Sequence, residues 1–215
     1  MSPRLYRQTQ RALAADDTRR RILRAALDRL LSGERFTIDG VATSAGVTRA
    51  TVYAHFAGGA AEMRDAVYDD LAEAGGLTRL PIAFASQDPR EGLRTLVEIF
   101  CSFYAAHRAV LRRLNALANL GREDGAHGNR NERRRTALSV LMSRIADAGG
   151  PPVDVDSTVT TLLALTSFAF FDQLANDVPG VDAITSRIWA LVCATVDAAT
   201  AQASEVAQKA GLSKR

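Results

Sequence analysis

The chain has 215 residues, 47% of them hydrophobic and 24% charged, with a net charge of +3. These are ordinary values for a soluble globular protein of one large or two small domains, long enough to bury a core without staples. Cys101 and Cys193 stand alone, which excludes a disulfide framework and a cysteine metal site. Neither a signal peptide nor an apolar run of roughly 18 residues is visible, so a cytoplasmic, non-membrane protein is expected.

In chain order, nearly every segment repeats apolar residues at three- and four-residue spacing, and no segment alternates as a strand would. An all-α fold of about nine helices is expected. Residues 1–15, with Pro3 and Arg4, Arg7 and Arg11, read as a flexible basic arm. The first helix is expected from Asp16–Thr18 to Gly33, carrying Ile22, Ala25, Ala26, Leu27, Leu30 and Leu31. A short second helix follows Thr37, with Val41, Ala42 and Ala45 inward, and Gly46 breaks it. Thr48 is placed to cap a short third helix that holds Val52 and ends near Phe56. A fourth runs from about Ala60 to the Gly75-Gly76 break.

Residues 77–87 read as a linker. Asp88-Pro89-Arg90-Glu91 then has the form of a capping box and opens a fifth helix with Leu93, Leu96, Val97, Phe100, Phe103 and Tyr104. A sixth spans about 109–120. Residues 121–130, rich in Gly and Asn, read as a mobile loop. A seventh helix is expected over 131–148, stopped by Gly149-Gly150-Pro151-Pro152, and an eighth over 156–176. A ninth starts near Asp182, and the tail over 205–215 is expected to fray.

Charge is uneven along this order. Residues 1–56 hold ten arginines against five acids, which leaves the rest of the chain slightly acidic. A basic head fits a polyanion partner or a solvated basic helix face.

Residues 38–56 form the short helix, glycine turn and short helix of a helix-turn-helix. The stretch from Phe36 to Phe56 contains Val41-Ala42, Ala45-Gly46-Val47, Ala50-Thr51-Val52-Tyr53 and His55-Phe56, and it closely resembles the DNA-binding signature of the tetracycline-repressor (TetR/AcrR) family. With the flanking helices the resemblance covers about residues 16–75, and the remainder matches in architecture only. It implies a DNA-binding domain over 16–76 and a ligand-binding and dimerisation domain over 77–204. It also implies a homodimer that sets two recognition helices in successive major grooves, about 34–36 Å apart or a multiple of that. Carried over by position, Thr37, Thr48, Tyr53 and His55 contact phosphates, whereas Arg49, Ala50, Thr51 and Ala54 face bases.

Two positions depart from the family pattern. Gly59 stands where the family usually carries a phosphate-anchoring lysine, and Asp39 stands where some relatives carry a basic residue. The basic arm is expected to supply the missing contact. Deleting residues 2–11 should then weaken operator binding and flatten its salt dependence by about 0.9 per lost phosphate contact.

The second domain carries the remaining candidates. Leu96, Phe100, Phe103, Tyr104, Leu114, Leu117, Leu141 and Phe168 form a pool from which an apolar pocket would be lined. His107 is either one of its walls or an exposed helix end. Apolar residues on several sides of the last two helices, Leu163, Phe170, Phe171, Ile184, Ile188, Trp189, Leu191 and Val192, predict a two-fold interface. The Arg133-Arg134-Arg135 run reads most simply as a solvated helix face, with an anion-sensing role as the alternative.

The expectation is a repressor of a palindromic double-stranded operator, released by a small apolar or amphipathic ligand, with no metal or cofactor. An activator or a ligand-independent regulator is the alternative. An enzyme or an oligomeric scaffold is the alternative of another class, although no paired carboxylates, Ser-His-Asp set or metal cluster stands out.

Overall fold

The computed structural model describes residues 3–121, 125–148 and 153–212, with side chains over 8–118, 130–148 and 153–204. The described residues are helical throughout their regular structure, in eleven α-helices and one 3₁₀ turn. They divide between two compact units, Met1–Leu71 with Ala109–Glu123, and Ala72–Arg108 with Asp124–Arg215.

The first unit is built on α1 (Pro3–Ser32), α2 (Ile38–Ala45), α3 (Arg49–His55), most of α4 (Gly59–Ala74) and most of α7 (Arg108–Gly121). Helix α1 begins at Pro3, so the expected loose arm forms its opening turns. Arg, Gln, Ala and Leu are good helix formers, and a polar helix can extend beyond the residues that bury it. The side chains of Arg4 and Arg7 lie outside the described residues, and Arg11 is exposed. The Thr18 hydroxyl donates back to the Ala14 carbonyl, so the expected start at Asp16–Thr18 lies inside the helix.

Helix α1 packs on α2, and α2 on α3. The core of the unit takes Ile22, Ala26 and Leu30 from α1, Val41 and Ala42 from α2, Val52 from α3, then Phe56 and Met63. Two arginines of the basic head serve this packing. The Arg19 guanidinium lies over the Phe56 ring, 4.3 Å from its centre, and donates to the His55 carbonyl at 2.8 Å. Arg29 bonds the Arg35 carbonyl at 3.0 Å and Glu34 at 2.6 Å, holding the turn between α1 and α2.

The second unit is organised around α6 (Pro89–Ala106), which packs against α5 (Pro81–Ala85), α8 (Gly125–Asp147), α10 (Phe168–Asp177) and α11 (Val181–Leu212). Contact on several sides explains why Leu93, Leu96, Val97, Phe100, Phe103 and Tyr104 are all buried. Asp88 caps α6 through the Arg90 N–H at 2.8 Å. The expected linker is instead a docked element. A 3₁₀ turn at Leu77–Arg79 leads into α5, whose end receives Arg144 of α8, at 3.1 Å to the Phe84 carbonyl and 2.6 Å to that of Ser86 just beyond the helix. Gly92 lets α5 and α6 cross closely, because a Cβ there would run into the Ala83 carbonyl oxygen.

Three further boundaries differ from expectation. Helix α8 starts at Gly125, so residues 125–130, expected in a loop, are helical. The expected eighth helix is two, α9 (Val155–Leu165) and α10, bent by 45° at Thr166-Ser167. Ser167 starts the second by accepting the Phe170 N–H at 3.1 Å. Helix α11 continues to Leu212, into the tail expected to fray.

Candidate nucleic-acid interface and ligand site

The turn between α2 and α3 is set by backbone hydrogen bonds. Gly46 adopts φ 64°, and Val47 and Gly46 donate to the Ala42 and Thr43 carbonyls at 3.0 and 3.2 Å. This is a Schellman closure, which favours glycine because the left-handed backbone crowds a Cβ. Thr37 caps α2 by accepting the Gly40 N–H, and Thr48 caps α3 by accepting the Thr51 N–H, both at 3.1 Å. The Thr48 and Thr51 hydroxyls also pair with each other at 2.8 Å. Two residues read as phosphate contacts thus hold helix starts with their oxygens. A capping hydroxyl accepts with its oxygen and keeps its proton as a donor.

Helix α3 has two distinct faces. Val52 and Phe56 point inward and are wholly buried. Arg49, Ala50, Tyr53 and Ala54, at i, i+1, i+4 and i+5, are exposed on the opposite face, with Thr48 ahead of them. Thr37, Thr51 and His55 are half-buried.

Arg49 is already engaged. Its Nη1 bridges both Asp39 oxygens at 3.0 and 3.1 Å, and Nη2 donates to the Tyr53 hydroxyl at 3.5 Å. The guanidinium lies 5.5 Å from the Tyr53 ring centre. Tyr53 and then Asp39 raise the Arg49 pKa, so the side chain keeps its charge at any working pH. This pairing spans ten residues across the turn, between two side chains that no helical spacing links.

Gly59 opens α4 at φ 65°, and a Cβ there would meet Tyr53 Cε1 at 3.5 Å. Beside it, Glu62 accepts the Gly58 N–H at 2.7 Å. A carboxylate therefore occupies the start of the helix where the family pattern carries a lysine.

Within the second unit, Val97, Phe100 and Cys101 close against Tyr104, Thr166 and Ile188 around an apolar gap too narrow for a water molecule. Phe100 and Tyr104 belong to the expected pocket pool, as do residues elsewhere. Leu96, Phe103 and Leu141 are buried, Phe168 is half-buried with its ring 5.5 Å from Tyr104, and Leu114 and Leu117 lie on α7 in the other unit. His107 ends α6 with its ring 5.1 Å from Phe103. Burial lowers its pKa, and its Nε2 is buried without a hydrogen-bond partner. Burial pushes the Cys101 thiol up to about 11. Among the described residues no group of His, Cys, Asp and Glu could hold a metal ion.

The residues expected at a two-fold interface separate by exposure. Phe171, Ile184, Ile188 and Val192 are buried in the core of this unit, because α6, α9 and α10 cover that side of α11. Leu163, Phe170 and Trp189 are half-buried, and Leu191 is 43% exposed.

No family model and no curated protein sequence matches the chain. Solved structures do. A TetR-like transcriptional regulator from Rhodococcus sp. RHA1 superposes with a TM-score of 0.61 at 21% identity, over 81% of this chain and 93% of that one. This chain has the fold of the TetR-like transcriptional regulators. A Clostridium perfringens protein assigned to fatty acid metabolism regulation gives 0.59 at 18% identity, over 80% of this chain and 96% of that one. The ketosteroid transcriptional regulator KstR2 of Mycobacterium tuberculosis gives 0.55 at 18%, over 85% and 94%. In this TetR-like frame, the helix-turn-helix of α2 and α3 and the apolar gap of the second unit are separate candidate sites.

Proposed function

We propose that the chain is a TetR-family transcriptional regulator that binds a palindromic operator as a homodimer and is released by a small apolar or amphipathic ligand. The observation that carries this reading is the two-faced α3. Its inner side is fixed by Val52 and Phe56, and its outer side offers Thr48, Arg49, Ala50, Tyr53 and Ala54. A short rigid helix with small residues between a guanidinium and a phenol suits entry into a major groove.

The gap beside Tyr104 supports a ligand that must part its walls to enter. Binding then favours an open conformer over the closed one, and the operator loses whichever conformer it had selected. The fatty acid and ketosteroid regulators among the similar structures support an apolar ligand body. The exposed Leu191, with the half-buried Leu163, Phe170 and Trp189, supports a dimer through α9, α10 and α11.

The test is selection of the full chain against random double-stranded DNA, followed by fluorescence anisotropy on the enriched fragment. A palindrome with half-sites one or more helical turns apart, lost on Arg49→Ala, is expected. Failure to enrich any sequence would overturn the reading.

A further inference from the structure

The Arg133-Arg134-Arg135 run was expected to be a solvated face, but Arg134 turns inward. It lies on the same stripe of α8 as Leu138, Leu141 and Ile145, which are buried. Its Nη1 donates to the Tyr104 hydroxyl at 3.0 Å, and Tyr104 in turn donates to the Thr166 carbonyl at 3.1 Å. Its Nη2 donates to Asn131 Oδ1 at 3.1 Å and, loosely, to the Leu163 carbonyl at 3.4 Å. Its Nε is buried and has no partner. Every acceptor is neutral, and among the described residues no carboxylate forms an ion pair with Arg134.

Arg108 gives the contrast within the same unit. It is also half-buried, and Asp172 neutralises it at 2.6 Å. The bend between α9 and α10 accounts for part of the arrangement at Arg134. The Ser167 N–H donates to the Ala164 carbonyl and the Phe170 N–H to Ser167 Oγ, so the Leu163 and Thr166 carbonyls need other donors. A neutral donor would serve there. A full charge held in a half-buried place beside aromatic rings has a desolvation cost that neutral acceptors offset only in part.

We infer that Arg134 is the anion-binding end of the ligand site and that the ligand is an amphipathic carboxylate. The apolar body would lie among Val97, Phe100 and Ile188, with its carboxylate beyond the Tyr104 hydroxyl, on the guanidinium. Nε–H is the donor left over, and a carboxylate that takes it side-on together with Nη2–H would displace the Asn131 or the Leu163 oxygen from Nη2. The inference deepens the regulator reading, from which the ligand takes its regulatory meaning.

The test uses the full chain without DNA, so it stands apart from operator binding. Calorimetry would compare decanoate with 1-decanol and 4-phenylbutanoate with 4-phenylbutanol. At least one acid should bind about ten-fold or more tightly than its alcohol, the scale of a charge-assisted hydrogen bond. Arg134→Gln should bring that acid within about two-fold of the alcohol, weakening the acid far more than the alcohol, whereas a merely structural role would weaken both alike. Arg134→Lys keeps a charge in the same place and should retain a reduced preference, which keeps the test open if the glutamine variant fails to fold. No acid preference in the unaltered chain, or a preference untouched by both substitutions, would overturn the inference. Acid preference in a chain that enriches no DNA would leave it standing and overturn the regulator reading alone.

Discussion

Asp39→Asn should tighten operator binding. In the free chain Arg49 gives its Nη1 to Asp39, at 3.0 and 3.1 Å, and that bridge must open or rearrange before the guanidinium can take a guanine edge bidentately. The two side chains are 60% and 68% exposed, so the bridge is a weak surface pair. It opens once per half-site, and a dimer would therefore gain about two- to thirty-fold in affinity from its removal. Asparagine keeps the size of the side chain and removes only its charge. The assay is fluorescence anisotropy on the selected palindrome at two salt concentrations. The gain should shrink as salt rises, because screening already weakens the bridge in the free chain. Measuring the substitution again in an Arg49→Ala background separates release of Arg49 from relief of repulsion by phosphates. An equal gain in both backgrounds would refute the restraint. A loss of affinity would show that Asp39 aims Arg49 at its base.

Other expectations concern the second unit. Gly92→Ala forces a Cβ onto the Ala83 carbonyl and to 3.1 Å from Leu141 Cδ2, and should cost about 1–3 kcal/mol in denaturant unfolding; an unchanged midpoint would contradict the close crossing of α5 and α6. Cys101 is buried with its pKa pushed up to about 11, so a thiol reagent at pH 8 should label the part-exposed Cys193 first, and early labelling of Cys101 would show that the gap stands open. Burial lowers the His107 pKa, so the unfolded chain takes up the proton more readily. Its contribution is complete above an ordinary histidine pKa of about 6.5 and is lost as pH falls through that value toward the lower folded pKa. His107→Gln should therefore lose less thermal stability than the unaltered chain between pH 7.5 and 5.5; an equal loss would remove His107 as a cause.

The first unit was legible because its signals are local. Thr37, Gly46 and Thr48 mark helix ends by backbone chemistry, and Val41, Val52 and Phe56 mark one face by spacing. Other features depend on partners distant in sequence. Nothing in the spacing says that Arg19 is spent on the His55 carbonyl and Phe56 ring, or Arg144 on the end of α5, so the basic head is partly internal fixing and not all surface charge. The bend at Thr166-Ser167 lacks glycine and proline, yet Ser167 ahead of Phe168 was an available capping signal. Arg134 was also within reach. It precedes Leu138, Leu141 and Ile145 by four, seven and eleven residues, so the stripe that predicts the core also carries the charge into it.

Gly59 shows why a departure from a family pattern needs the backbone as well as the residue. At φ 65° a lysine would hold the left-handed conformation that L-residues resist by about 1–2 kcal/mol. Its Cβ would also touch the Tyr53 ring at 3.5 Å, while Glu62 fills the adjacent Gly58 N–H. Restoring lysine at this one position would thus strain the turn and set it beside a carboxylate already bound there. The entrance to α4 is built as a coupled set of Gly58, Gly59, Glu62 and Tyr53, so a basic group cannot be added there without disturbing the rest. If the chain binds DNA as proposed, Arg11, exposed on the helix that replaces the expected arm, is the residue to test as the substitute anchor: Arg11→Ala should weaken operator binding, and an unchanged affinity would remove it.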